Sequence, residues 1–234
     1  MNFETWEPVY EAILADMGYD RAGDEAARDE LATFVGDAAT LALADASFDG
    51  DRVAIAAPGP GLSRDLSAVD SADVVVAAGV AADRLLDDGR RVDWVVTDLD
   101  GHADRVPRFT QDGIPVAVHA HGDNRDLLAA SVPECDHSSV LPTTQAAPTG
   151  PVRNVGGFTD GDRAAFLADA GGADDLVFPG WDLTDTTVGP TKRRKLRWAA
   201  RLLGWLEGRR GETFAVLDGV RDDLDRSMLP DRGR

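Results

Sequence analysis

Asp98 and Asp100 stand one residue apart where the apolar run "DWVVTD" gives way to "LDG". Residues two apart on an extended strand point to the same side, so both carboxylates are expected to face one site with Leu99 turned away. Two hard oxygen donors of this kind suit Mg²⁺; a polar turn closing a buried strand is the plainer alternative. A second stretch repeats the pattern: "VHAHGDN" sets His119, His121 and Asp123 in alternation, with two of the chain's four histidines inside it. "APGPGLS" offers Gly59 and Gly61 for tight backbone turns ahead of a helix, whose free N–H groups suit a phosphate. It is neither a Walker A loop, since Lys is missing, nor a full GxGxxG. Both lysines of the chain, Lys192 and Lys195, fall three residues apart in "TKRRKLRW". That is one helical face, and it reads as a cationic clamp on phosphate or as a basic surface.

"NVGGFTDGDRA" adds Asn154, Gly157 and Phe158 before a helix start that Thr159 or Asp160 could cap, with Asp162 and Arg163 in its first turn. "LPTTQ" supplies Thr144 and Gln145, and "GWD" puts Asp182 at the end of a further run. The His-x-His-x-Asp spacing is shared with metallo-β-lactamase-type hydrolases. Those need further histidines downstream, and only His137 follows, so a metal-dependent hydrolase is the weaker alternative.

Positioning these residues is a task for a sheet. Seven short apolar runs (52–58, 73–79, 93–98, 114–121, 138–145, 175–182 and 213–219) alternate with helical stretches at 62–69, 80–88, 103–112, 123–131, 160–170 and 191–208. Runs buried on both faces fit an α/β fold, a doubly wound, mostly parallel sheet with helices on both sides. Ligands then gather at the carboxyl ends of the strands, where the unusual residues lie. Residues 3–16 and 24–45 read as two helices, giving an N-terminal helical appendage over 1–48, a catalytic domain over 49–220 and a polar, fraying tail over 221–234.

Composition narrows the partners. The 234 residues carry a formal net charge of -18, with 34 Asp against 8 Glu and 22 Arg against 2 Lys. Acid in such excess resembles the surface of a protein from a high-salt cytoplasm, where screening within about 3 Å makes self-repulsion tolerable. A basic face for nucleic acid is lacking. No apolar run approaches the ~18 residues of a membrane span, and the acidic start "MNFETWEPVY" is unlike a signal peptide, so the expected location is the cytoplasm. One cysteine, Cys135, allows no internal disulfide. Homo-oligomerisation is left open.

Taken in order, "APGPGLS", "DWVVTDLDG", "VHAHGDN", "LPTTQ", "NVGGFTDGDRA", "GWD" and "KRRKL" resemble the archaeal 6-hydroxymethyl-7,8-dihydropterin pyrophosphokinases, from Trp6 to about Leu206. These are in turn similar to thiamine pyrophosphokinases, although Thr97 and Gly101 flank the Asp pair here where those carry Gly-Asp-x-Asp-Ser. The resemblance implies diphosphate transfer from ATP to a reduced pterin, release of AMP, Mg²⁺, and a place in folate or methanopterin biosynthesis; a thiamine-type acceptor is the alternative. It casts Asp98, Asp100 and Asp123 as metal ligands and His121 or Asp123 as proton acceptor. Gly59, Gly61, Lys192 and Lys195 are cast on the phosphates, and Asn154, Gly157, Phe158, Thr144 and Gln145 around the pterin or adenine ring.

Overall fold

A computed structural model describes residues 1–230; the last four residues of the expected polar tail lie outside them. Six strands form one sheet, all parallel: β1 (Arg52–Ala56), β2 (Val74–Ala78), β3 (Trp94–Thr97), β4 (Val116–Ala120), β5 (Val140–Thr144) and β6 (Asp175–Val177). Alternation along the strands divides their side chains between two cores. Val53, Ile55, Val76, Trp94, Val96, Ala117 and Leu141 meet α1 (Phe3–Met17), α7 (Asp160–Ala170) and α8 (Pro190–Arg210). Ala54, Ala56, Val75, Ala77, Val95, Val116 and Val140 meet α2 (Arg21–Val35), α3 (Leu66–Asp70), α4 (Ala81–Asp87), α5 (Val106–Gln111) and α6 (Arg125–Ser131). Both N-terminal helices are thus part of the sandwich: α1 buries Trp6, Val9, Tyr10, Ile13 and Leu14 in one core, α2 buries Ala27, Leu31 and Val35 in the other.

The strand order is β5-β4-β3-β2-β1-β6. The chain steps outward from β1 to β5, then α7 crosses the opposite face and delivers β6 beside β1. The winding reverses between β1 and β6, and a crevice opens there at the carboxyl ends.

Three expectations change. The second helix stops at Val35, not Asp45, because Gly36 takes a φ of 54° that a helix does not use. Beyond it the Leu41 N–H donates to Val140 O, covering the edge of β5, and only a short 3-10 turn forms at Leu43–Asp45. The seventh run is not a strand: Ala215–Leu217 make a 3-10 turn that buries Leu217, and Phe214 just ahead of it, in the core that holds α8. The start of the tail does not fray either, since the Arg221 guanidinium donates to the Glu207 carboxylate of α8 at 3.1 Å. Among the described residues no helix is long and apolar enough to cross a membrane.

Candidate active site

A cleft of about 420 Å³ lies over the switch point. Gly59 enters it after β1, Gly79 after β2, Asp98 and Asp100 after β3, and Trp181 and Asp182 after β6. Phe158 and Asp160 come from the start of α7, and Lys192 and Lys195 from the first turns of α8. Carboxylates, both lysines and two aromatic rings, Phe158 and Trp181, line the same cleft, and Lys192 is close enough to Asp160 to act on its carboxyl.

Asp98 and Asp100 are presented by a turn, not by strand alternation. β3 ends at Thr97, and Leu99 takes φ 74°, the left-handed conformation, with its side chain fully buried. The chain reverses around that anchor and presents Asp98 and Asp100 together, the Asp100 N–H donating to Asp98 Oδ1 at 3.2 Å. Asn124 Nδ2 donates to the Asp98 carbonyl at 2.8 Å and to the His119 carbonyl at 2.7 Å.

Around Asp98 the charges are close. His121 Nε2 lies 3.5 Å and Arg163 Nη1 3.8 Å from Asp98 Oδ2. The Asp98 N–H donates to Asp160 Oδ1 at 3.1 Å, and Arg163 Nη1 donates to the same oxygen at 3.1 Å. Burial works to raise the Asp98 carboxyl, but the His121 hydrogen bond and the Arg163 charge outweigh it and hold it well below the usual carboxylate range. Asp160 goes the other way: burial first, then the Asp98 charge, push it up to about 8 against the pull of Arg163 and Lys192. Space here is tight, since a Cβ on Gly79 would sit 2.9 Å from Asp160 Oδ2.

The chain matches the profile of the 6-hydroxymethylpterin diphosphokinase MptE-like family over residues 29–188. It is 36% identical to the 6-hydroxymethyl-7,8-dihydropterin pyrophosphokinase of Methanothermobacter thermautotrophicus, covering 88% of this chain and 96% of that one. The chain belongs to the MptE-like family. The enzyme of the same name from Pyrococcus furiosus is 36% identical over 88% of this chain and 95% of its own length, and that of Methanocaldococcus jannaschii 28% over 88% and 96%.

Within this MptE-like chain the predicted residues separate. Asp98, Asp100, Gly59, Phe158, Lys192 and Lys195 line the cleft. Lys195 Nζ lies 5.8 Å from the centroid of the Phe158 ring. Asp123 does not line it: Gly122–Asn124 form a 3-10 turn that leaves Asp123 exposed, its N–H donating to His121 Nδ1 at 3.3 Å. That bond makes Nδ1 an acceptor and puts the ring proton on Nε2, facing Asp98. His121 therefore stands behind the carboxylate as an orienting donor. Among the described residues no group of three or more His, Cys, Asp or Glu side chains has metal-binding geometry, so Asp98, Asp100 and Asp123 are not gathered as one ligand set.

Gly61 lies just outside the cleft lining, at the head of a three-residue 3-10 turn followed by the short α3, not of the longer helix expected over 62–69. Gly59 is needed for a close approach, because a Cβ there would collide with the Gly180 carbonyl of the loop after β6. Gly157, at φ 93°, lets the chain pack on α7; a Cβ would lie 2.6 Å from the Arg163 Cα. Asn154 Nδ2 donates to the carbonyls of Gln145 and Ala146, tying two loops together. Thr144 and Gln145 are buried behind the site. Gln145 Nε2 donates to Asp24 at 2.7 Å and its Oε1 accepts from Arg163 Nη2 at 3.3 Å.

Sequence reasoning did not select Asp160, Arg163 or Trp181 as site residues. Asp160 and Arg163 read as part of a helix start, but Thr159 is the N-cap, as expected of it or Asp160, and Asp162 completes the capping box, its Oδ1 accepting from the Thr159 N–H at 2.6 Å. That frees Asp160 for the cleft, and two acids beside one cap was the available signal. Trp181 donates its Nε1–H to Ile55 O at 2.8 Å, which sets its ring against the cleft.

Proposed function

We infer that this enzyme transfers diphosphate from ATP to the hydroxymethyl group of 6-hydroxymethyl-7,8-dihydropterin, releasing AMP. The observation carrying this reading is one cleft lined by the Asp98–Asp100 turn, both lysines and two aromatic rings, in a chain whose curated relatives bear that activity by name. The pterin hydroxyl attacks the β-phosphorus in line, and most of the protein's contribution is positioning and charge neutralisation. Lys192 and Lys195 suit phosphate oxygens, since a compact ammonium on a flexible stem presents three donors. Phe158 and Trp181 offer flat faces to the two heterocycles.

Magnesium is part of the proposal. Burial first, and then the Asp98 charge, push Asp160 up to about 8; a hard cation would offset both, and Asp100 adds a third carboxylate to the same cleft. Asp98 and Asp100, with Asp160 beside them, are the carboxylates that would hold Mg²⁺; since no three of them form a ready ligand set among the described residues, phosphate oxygens and water would complete it. The ion would neutralise charge on the transferred phosphates.

The test is product analysis at high salt with ATP, Mg²⁺ and either 6-hydroxymethyl-7,8-dihydropterin or thiamine. AMP and a diphosphorylated pterin are expected. ADP with a monophosphate would overturn the reaction type, and turnover with thiamine alone would overturn the acceptor.

A further inference from the structure

Behind the Asp98–Asp100 turn runs a buried line of polar groups that no substrate can reach. Thr97 Oγ1 lies 2.7 Å from His102 Nε2, and His102 Nδ1 lies 2.7 Å from Asp83 Oδ2. Thr97 is fully buried and His102 nearly so. A carboxylate only accepts, so Nδ1 carries the proton toward Asp83; with the ring neutral, Nε2 accepts from the Thr97 hydroxyl. That leaves a lone pair of Thr97 Oγ1, which accepts the Leu99 N–H at 2.8 Å. At the far end Arg105 Nε lies 2.8 Å from Asp83 Oδ1.

We propose that Asp83, His102 and Thr97 form a relay of positioning residues that locks Leu99 in its left-handed conformation and so fixes Asp98 and Asp100 for the cation. An Asp–His–Thr line has the order of a nucleophilic triad. Here the hydroxyl is inaccessible and both its donor and acceptor directions are engaged within the protein, so it performs no covalent step. Its product is a backbone shape. Leu99 is the one residue other than glycine with positive φ among the described residues, and L-residues adopt that conformation only when their surroundings impose it. Glycine would adopt it freely, but the Leu99 side chain is fully buried in the core over α4 and α5. The position needs a leucine side chain and a glycine-like backbone together, and the relay supplies the constraint that reconciles them. His102, one of four histidines in the chain, is placed by this relay and not by contact with the cleft.

The link to the cation rests on the magnesium reading above; the link to Leu99 does not. The test uses the full-length protein as Thr97→Val, which keeps the shape and removes the hydroxyl, Thr97→Ser, which restores it, His102→Leu, and Val95→Ala as a control for lost packing in the same strand. In metal-free protein, exchange of the Leu99 amide followed by NMR should quicken at least about tenfold in Thr97→Val and His102→Leu, and stay near wild type in Thr97→Ser and Val95→Ala. Unchanged protection in Thr97→Val and His102→Leu would overturn the relay. With a non-hydrolysable ATP analogue, Mn²⁺ binding read by electron paramagnetic resonance should weaken roughly tenfold in the first pair and recover in Thr97→Ser. Equal Mn²⁺ binding in all variants would overturn the link between relay and cation. A wild-type protein that binds no Mn²⁺ overturns the magnesium reading instead, and the exchange data then decide the relay alone.

Discussion

The ends of β3 and β4 look alike in sequence and differ in space. Each carries polar residues at every second position, Asp98 and Asp100 after one, His119, His121 and Asp123 along the other. After β3 the chain swings through Leu99 and opens both acids to the cleft. After β4 it enters a 3-10 turn that is clamped by α2: the Gly122 N–H donates to Asp24 Oδ1 at 2.8 Å, and a Cβ on Gly122 would lie 3.3 Å from the backbone of Gly23. His119 is sealed beneath, His121 is turned onto Asp98, and Asp123 is left on the outside. A period of two describes a strand and ends with it. The course of the chain past that point is decided by which helix packs against the strand end.

The sharpest break of this comparison is Asp98→Asn. It keeps volume and removes charge at the open end, and should lower kcat by about 10²- to 10³-fold while the protein stays folded. Steady-state AMP formation beside a circular-dichroism melt would check it. Near-normal turnover would mean that the turn after β3 is no more catalytic than the one after β4.

The closed end should answer in stability instead. Asp24 accepts from Tyr10 Oη and Gln145 Nε2, each at 2.7 Å, besides the Gly122 N–H. Asp24→Ala leaves these buried donors unpaired, and urea unfolding should report a loss of about 3 kcal/mol. A loss under about 0.5 kcal/mol would show that α2 does not latch the β4 end.

Acidity separates the two ends by sign. Burial holds His119 well below its ordinary value, so the unfolded chain takes up a proton the fold refuses, and stability falls as pH drops below about 6.5. Asp160 is raised to about 8, so the fold keeps a proton the unfolded chain releases, and stability falls as pH climbs from about 4 to 8. The two slopes oppose each other in wild-type protein. Without metal, Asp160→Asn should melt higher at pH 7 than at pH 5, and His119→Gln should melt lower at pH 8 than at pH 5, by about 2–4 °C per kcal/mol. Identical pH profiles for the two variants would remove this distinction.

The smallest effect is expected at Asp123→Asn, where both kcat and the melting temperature should stay within about twofold and about 1 °C of wild type, as for an exposed surface change. A hundredfold loss of kcat there would restore Asp123 to the site and undo the contrast.

Legibility in the sequence divides between the two ends in the same way. The α/β class, the parallel sheet, and the clustering of Gly59, Asp98, Asp100, Phe158 and the two lysines at strand or helix ends could be read from apolar runs and the residues that close them. Local patterns carry that information because each run is buried by its own length. Asp123 could not be placed, because nothing in "HGDN" says that α2 will lie across it. Asp160 was hidden between Thr159 and Asp162, which cap the helix together. The end of α2 at Val35 depended on Gly36, which local helix periodicity passes over. The relay behind Leu99 joins residues 83, 97 and 102 from a helix, a strand and a turn, a meeting that only the sheet order creates.

That order also has a bearing on biosynthesis. β1 is made early, yet its second neighbour is β6, with Val53 opposite Leu176, and the switch-point cleft exists only when the two have paired. At about 5–20 residues per second, on the order of ten seconds separates the emergence of the two strands from a ribosome. For that interval the first strand of the nascent sheet presents an unpaired backbone edge, a ready template for another chain. Only residues 175–177 close that edge, so a chain stopped short of them keeps the template open.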